Sequence, residues 1–191
     1  MKIKIEVSAR HIHLSPKDLE ILFGKGYELT VFKPLSYPGY FAANETVTLE
    51  TARGTIERVR VLGPERKQTQ VEISQTDAYK LGLNPPVRES GNLAGSEKVT
   101  LIGPQGRLDL PEGAIIAWRH IHLCPADAAE CGLKDKQTVS VKVGGERELV
   151  FHQVLIRIQP EFFWSTMHID TDEANAVGIK GEGKGEIFPE P

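Results

Sequence analysis

One nine-residue string occurs nearly twice. Arg10–Asp18 reads RHIHLSPKD and Arg119–Asp127 reads RHIHLCPAD, identical at seven of nine positions. Further pairs follow in the same order. TVTLE at 46–50 matches TVSVK at 138–142, Pro64-Glu65 matches Pro160-Glu161, and EISQTDAYKLGL at 72–83 matches HIDTDEANAVGI at 168–179, with Ile, Ala and Gly coincident. Chance can produce one such match but not an ordered series, so the chain is two copies of one βαβ-rich unit. Each copy is too small for a large core, which predicts two lobes packed with a cleft between them.

Local patterns fill in the unit. Lys2–Val7 alternates as a strand, with Ile3, Ile5 and Val7 on one face. Ser15-Pro16-Lys17-Asp18 carries an N-cap, a first-turn proline and an acid, starting a helix that should end near Gly24. Val47–Glu50 and Glu57–Leu62 form a hairpin, Gln70–Ile73 a strand, and Thr76–Leu81 a helix closing on Gly82. NPPVRESGNLAGS at 84–96 reads as a linker or an active loop. The pattern restarts with a strand at Ala114–Trp118, a helix start at Pro125–Glu130, and a hairpin of Thr138–Val143 with Glu148–Ile158. The tail GEGKGEIFPEP reads as loose. The expected fold is mainly β: two small β-barrel lobes (barrels or sandwiches) from an internal duplication, with short capping helices. The division falls at residues 1–96 and 97–191, with the N-terminal strand a candidate for exchange between the lobes.

Composition excludes several classes. Lys plus Arg is 23 against 26 Asp plus Glu, a formal charge of −3, which gives no bulk attraction for nucleic acid or an anionic membrane. The longest apolar candidate, Val150–Trp164, is interrupted by His152, Arg157 and Glu161 and is not a membrane span. The N-terminus lacks a signal-peptide core. Two cysteines, Cys124 and Cys131, make no disulfide framework and point to a reducing compartment.

The repeated HxH is the chemical signature. Residues i and i+2 of a strand share a face, so His11 with His13, and His120 with His122, present paired imidazoles opposite Ile12 and Ile121. Such pairs suit Zn²⁺, although a single HxH is more often two solvated or hydrogen-bonded histidines. Here the pair is repeated and takes four of six histidines. The duplication nominates a third donor in each copy, because His168 aligns with Glu72. The expected sets are His11, His13 and Glu72 in one lobe, and His120, His122 and His168 in the other. Three protein donors leave a position open, as in reactive sites. The alternatives are a surface-strand Glu72 and a helix-edge His168. His152 has no counterpart and reads as a strand residue. Cys124 replaces Ser15 at a helix cap.

Arg66 lies six residues before Glu72, and its duplicate is Phe162, so one lobe has a cation the other lacks. A guanidinium fork suits phosphate, and a solvated surface arginine is the other reading. Ser90-Gly91-Asn92 offers a hydroxyl and backbone N–H groups to the same anion. Lys33, Arg53 and Arg60 suit a polyphosphate cofactor or are scattered surface charges.

With VSARHIHLSPKDL, GPERKQTQVEIS, ESGNLAGS, RHIHLCPADA and MHIDTDEANAVG in order, the chain from about Val7 to Gly178 resembles the phosphate propanoyltransferases, the PduL-type phosphotransacylases. The resemblance implies two β-barrel lobes, two Zn²⁺ per chain and coenzyme A as substrate or product, in the interconversion of acyl-CoA plus phosphate with acyl phosphate plus CoA. It implies His11, His13 and Glu72 on the first zinc, and His120, His122 and His168 on the second. Arg66 matches the phosphate arginine and Ser90 the serine assisting it. Val7, Ser8, Ala9, Lys33, Arg53, Arg60, Leu62 and Asn175 fall at coenzyme A positions, Ala9 through its backbone alone. A homodimer is implied, coupled metabolically to an acyl kinase in acetate or propanoate metabolism. Some relatives carry a microcompartment-targeting extension; with ten residues before His11, this chain is expected to be a free cytoplasmic enzyme. No Ser-His-Asp or Cys-His pair stands in these motifs, so direct phosphate attack is expected over an acyl-enzyme.

Two other readings use the same residues. A cupin-like metalloenzyme also pairs HxH with Glu and a later His, but the nearest Glu after His13 is Glu20, seven residues on, without the fitting pattern behind it. A non-catalytic zinc or anion-binding module requires no turnover with acyl-CoA.

Overall fold

The computed structural model describes residues 1–189. In order, its elements are β1 (Lys2–Val7), β2 (His11–His13), α1 (Pro16–Phe23), β3 (Val31–Pro34), β4 (Phe41–Glu50), β5 (Thr55–Gly63), β6 (Gln70–Glu72), α2 (Gln75–Leu81), β7 (Val87–Arg88), β8 (Glu97–Ile102) and β9 (Arg107–Ala117). Then follow β10 (His120–Leu123), α3 (Pro125–Cys131), β11 (Thr138–Val143), β12 (Leu149–Ile158), β13 (Thr166–Ile169), α4 (Thr171–Val177) and β14 (Glu182–Pro189).

These strands close two six-stranded barrels, each with its own apolar core. The first runs β4-β5-β2-β6-β9-β8 and returns to β4, with β3 added on β4 and β7 on β9. The second runs β1-β13-β10-β12-β11-β14 and closes through the antiparallel β1–β14 pair. Alternation explains the cores. Val47, Leu49, Val59, Val61 and Val71 point into the first barrel, and Ile5, Val139, Val141, Val154 and Ile156 into the second. Each such side chain contributes about 1.5–3 kcal/mol on burial.

Contacts group Arg10–Ala117 as one unit, and Met1–Ala9 with Trp118 onward as the other. The first unit thus runs past the 96/97 division drawn on the sequence, because the β8–β9 hairpin closes its barrel against β4 and β6. The strand preceding β2 pairs with β13 and β14.

One reading of the sequence is overturned. The tail is not loose: through Pro189 it is strand β14, paired with both β1 and β11. Two of its glycines, Gly183 and Gly185, mislead because other side chains already fill the space beside them. A Cβ on Gly185 would lie 2.6 Å from Val141 Cγ1, and one on Gly183 would lie 2.5 Å from Ile179 Cδ1. Only glycine lets the strand close there. Pro191 and Glu190 lie outside the described residues. The 84–96 segment is internal to the first unit and holds β7.

The fold accounts for all seven repeated positions. Ile12, Leu14, Ile121 and Leu123 are core. Pro16 and Pro125 open the helices behind the caps Ser15 and Cys124. Arg10 grips Asp77, and Arg119 grips Glu173, each acid being the third residue of the helix after the third-donor strand. Asp18 accepts a hydrogen bond from Thr69 and Asp127 one from Ser165, and those hydroxyls in turn accept from the cap N–H groups of Ser15 and Cys124. The remaining two positions are the histidines.

Candidate active site

The antiparallel pair β2–β6 builds the first cluster. Its register sets His11 opposite Glu72 and His13 opposite Gln70. Directly opposed residues share a sheet face, so both imidazoles, the carboxylate and the amide converge while Ile12 and Val71 enter the core. His11, His13, Gln70 and Glu72 are all buried. His11 Nε2 lies 3.4 Å from Glu72 Oε2, and the imidazoles meet edge to face at 5.1 Å.

Charge follows from this geometry. Burial, reinforced by the neighbouring His11 and Arg66 charges, pushes the His13 pKa down to about 2, so its ring is neutral. Burial alone would raise the Glu72 carboxyl. The charge and hydrogen bond of His11, together with His13 and Arg66, hold it well below the usual carboxylate range. A neutral imidazole beside a carboxylate is the protonation state a divalent cation requires.

Arg66 joins this cluster through Ser90. Its Nη1 donates to Ser90 Oγ at 3.0 Å, Gln70 Nε2 donates to the same oxygen at 2.8 Å, and Ser90 Oγ donates to Glu72 Oε1 at 3.0 Å. Arginine and amide nitrogens can only donate and a carboxylate can only accept, so the single hydroxyl proton points to Glu72. Gln70 also donates to Glu72 Oε1 and accepts the Gly91 N–H at 2.7 Å, tying the 84–96 loop to β6.

The pair β10–β13 builds the second cluster, with His120 opposite His168 and His122 opposite Thr166. The rings of His120, His122 and His168 lie 4.7–5.4 Å apart. His120 Nδ1 is 2.8 Å from the Trp118 carbonyl, which makes Nδ1 the protonated nitrogen and leaves the Nε2 lone pair for the cluster. His120 Nε2 faces His122 Nε2 at 3.1 Å. Phe162, at Arg66's duplicate position, packs edge-on to His122 at 4.5 Å.

Both donor sets fit a zinc ion. In each, one ligating atom per residue lies within 4.8 Å of the others. Nitrogen and carboxylate donors are those zinc accepts. In the first cluster His13 Nδ1 is buried with no hydrogen-bond partner, a lone pair or N–H that a ligand would satisfy.

A model of phosphate propanoyltransferases matches residues 4–180. The chain is 57% identical to the phosphate propanoyltransferase of Thermotoga maritima over 176 residues, which are 92% of this chain and 83% of that protein. It is 57% identical to that of Lachnoclostridium phytofermentans over 178 residues (93% and 83%), and 45% identical to that of Listeria monocytogenes over 186 residues (97% and 87%). The chain belongs to the phosphate propanoyltransferase family. It is therefore an enzyme of the acyltransferase class.

The residues expected from the resemblance to contact coenzyme A scatter over the elements. Leu62 and Arg60 lie on β5, and Lys33, exposed on β3, pairs with Ala42, which pairs with Leu62 in turn. Arg60 donates to the carbonyls of Ala43 and Asn44 and lies 4.8 Å over the Phe32 ring. Arg53 is not brought to this group; it sits in the turn at the far end of the hairpin, its chain packed over Gly82. In the other unit, the N–H groups of Val7 and Ser8 donate to Gly181 and Ile169, Ala9 follows them, and Asn175 is exposed on α4. His152 is exposed on β12, 2.7 Å from Ser140 Oγ, and belongs to neither cluster.

Sequence reasoning missed Gln70, Asp77, Glu173, Thr69 and Ser165. The duplication aligns Asp77 with Glu173 and Thr69 with Ser165, acid on acid and hydroxyl on hydroxyl, which was the available signal. Gln70 aligns with Thr166 and carried none.

Proposed function

We propose that the protein transfers an acyl group between coenzyme A and phosphate, with propanoyl-CoA or acetyl-CoA as the thioester, and that the two clusters each hold zinc. The observation that supports this most is the chain Arg66–Ser90–Glu72, which couples a guanidinium to a three-donor cluster in one lobe only.

Arg66 would bind phosphate bidentately, neutralise part of its charge and aim one oxygen at the thioester carbonyl. That oxygen forms the new C–O bond, the C–S bond breaks, and the products are acyl phosphate and CoA thiolate. Ser90 acts by holding Arg66 and Glu72 in register, its own proton being spent on Glu72. Gln70 fixes Ser90 and the loop that carries it. When bound, zinc supplies Lewis acidity toward the carbonyl and a soft partner for the departing thiolate. Lys33 and Arg60 are the cations for the nucleotide end of CoA, with Leu62 next to them in the same sheet. We place the enzyme in the cytoplasm as a homodimer, its acyl phosphate passing to an acyl kinase. Among the described residues no helix is long and apolar enough to cross a membrane.

Thiol release from propanoyl-CoA, measured with and without phosphate, tests this. Release that requires phosphate and yields acyl phosphate is expected. Release independent of phosphate would make the protein a hydrolase, and none at all a binding module.

A further inference from the structure

The strand added on β4 carries an aromatic ring that the fold pins and leaves uncovered. Phe32 lies on β3 and is 58% exposed. The register of β3 on β4 shifts between Val31 and Lys33, which puts Phe32 at a bulge. The segment leading to it is clamped. The Asn44 N–H donates to the Thr30 carbonyl at 2.8 Å and its side-chain amide to the Val31 carbonyl at 3.3 Å. The Thr30 hydroxyl donates to the buried Glu45 at 2.8 Å.

Arg60 stands over the ring, its Cζ 4.8 Å from the centre. Arg60 is itself fixed, because its Nη1 donates to the carbonyls of Ala43 at 2.8 Å and Asn44 at 2.9 Å. Those bonds use two of five N–H donors, and among the described residues no acceptor meets the other three. The Nε–Nη2 edge is therefore left to grip a phosphate bidentately. Lys33, next along β3, is exposed and has no ion pair among the described residues. The added strand belongs to the lobe that contains Arg66; in the second barrel every strand lies on the closed path.

We infer that Phe32 is the platform on which the adenine of coenzyme A stacks, and that it makes the enzyme prefer a nucleotide-bearing thioester to a shorter one. This rests on the reading that CoA thioesters are the substrates. A pinned ring beside two unspent cations suits a planar base that carries phosphates. Distance agrees. In the sheet order β3-β4-β5-β2, Phe32's strand stands three spacings from the strand of His11 and His13, about 14 Å at about 4.8 Å each. A pantetheine arm is long enough to cover that span, from a thioester at the histidines to a base at β3.

The test uses the full chain. KM and kcat are measured with propanoyl-CoA and with propanoyl-pantetheine, which has the same thioester and no nucleotide, for the wild type, Phe32→Ala and Phe32→Tyr. Circular dichroism confirms folding, and sedimentation reads the oligomeric state. Calorimetry follows binding of the adenosine bisphosphate that forms CoA's nucleotide end. Phe32→Ala should raise KM for propanoyl-CoA by about 10–100-fold with little change in kcat, and weaken the bisphosphate by a similar factor. Propanoyl-pantetheine should not distinguish the variants, and Phe32→Tyr should behave as wild type. The fluorescence of an etheno-adenine analogue of CoA should be quenched on binding wild type, as stacking requires, and not on binding Phe32→Ala. An unchanged KM in Phe32→Ala, an equal rise for both thioesters, an etheno base that stays bright on wild type, or a changed oligomeric state in the variant would each overturn the assignment of Phe32 and leave the transfer reading standing. A wild type without phosphate-dependent thiol release would overturn the transfer reading. If that wild type also failed to bind the bisphosphate, the inference would fall with it; if it bound, and Phe32→Ala weakened it, the platform would stand alone.

Discussion

The two barrels are built on one plan and differ where chemistry would occur. Both present an HxH strand against a third donor, and both brace that strand through the repeated arginine and a helix acid. Around this common frame the first lobe has Arg66, Ser90, Gln70 and Glu72 in one hydrogen-bonded chain. The second has Phe162, Thr166 and His168 at the positions of Arg66, Gln70 and Glu72. A duplicated scaffold can hold a donor geometry twice while an anion site is kept in only one copy. On the proposed function, Arg66 and Ser90 make the first lobe the one where phosphate would bind.

The most severe way to break this comparison is to remove each histidine pair. His11→Ala with His13→Ala should abolish turnover and lower bound metal by about one ion per chain. His120→Ala with His122→Ala should also release about one ion, but its main effect should be a lower melting temperature. Metal analysis, thiol release and thermal unfolding on both variants check this, and equal loss of turnover at unchanged melting temperatures would erase the division of labour.

Next comes the cation that one lobe lacks. Arg66→Ala should reduce kcat by about 10²–10³-fold with metal content unchanged, as expected for losing a charged transition-state partner. Phe162→Leu should change kcat by less than about tenfold, and cost stability through lost packing instead. Steady-state kinetics over a range of phosphate concentrations separates the two. Near-normal turnover of Arg66→Ala at low phosphate would remove the anion assignment.

A subtler contrast lies one strand position away. Gln70 is fully engaged with Ser90, Glu72 and Gly91, whereas Thr166 Oγ1 is buried without a hydrogen-bond partner. Gln70→Leu should destabilise by about 1–3 kcal/mol, because it strands buried polar groups, and should lower kcat. Thr166→Val keeps the shape and should be neutral or stabilising by up to about 1 kcal/mol. Urea unfolding of both variants measures the contrast.

The smallest expected effect is on the acid limb of stability. In the first unit, Glu45 accepts hydrogen bonds from Thr30 and Tyr27; burial opposes them, but the net result holds its carboxyl below the ordinary value. Its contribution is therefore complete above the ordinary carboxyl pKa and lost as pH falls through the lower folded value. In the second unit, burial raises the Glu173 carboxyl despite the Arg119 bond. That group favours the folded state at low pH, and the advantage is lost as pH rises through its raised value. Glu45→Gln should flatten the acid limb of the stability curve and Glu173→Gln should steepen it. Matching slopes for the two variants would count against the opposite environments.

Much of the site was readable before folding because its residues sit in a repeat. The HxH spacing implies a shared face on any strand, and the match of Glu72 with His168 nominates the third donor without coordinates. Arg66 stood out because its duplicate is Phe162. Gln70 and Ser90 could not be linked to Glu72 in this way. Their meeting depends on a loop folding back onto β6, and no local pattern specifies that return.

The sequence by itself determined the duplication, the mainly β class, the caps Ser15 and Cys124 and which residues meet in each histidine cluster, because these rest on short-range periodicity and on matching one copy with the other. Tertiary structure alone decided that the tail is a barrel strand, since glycine is required there only because Val141 and Ile179 already occupy the space its side chains would need. It alone also decided which strand flanks each cluster. β1, first in the chain, pairs with β13 near the other end, so Glu6, more than a hundred residues away in sequence, stands beside His168, whereas Ile115 stands beside Glu72. Barrel closure sets that pairing, and closure is a property of the whole sheet that no single segment carries.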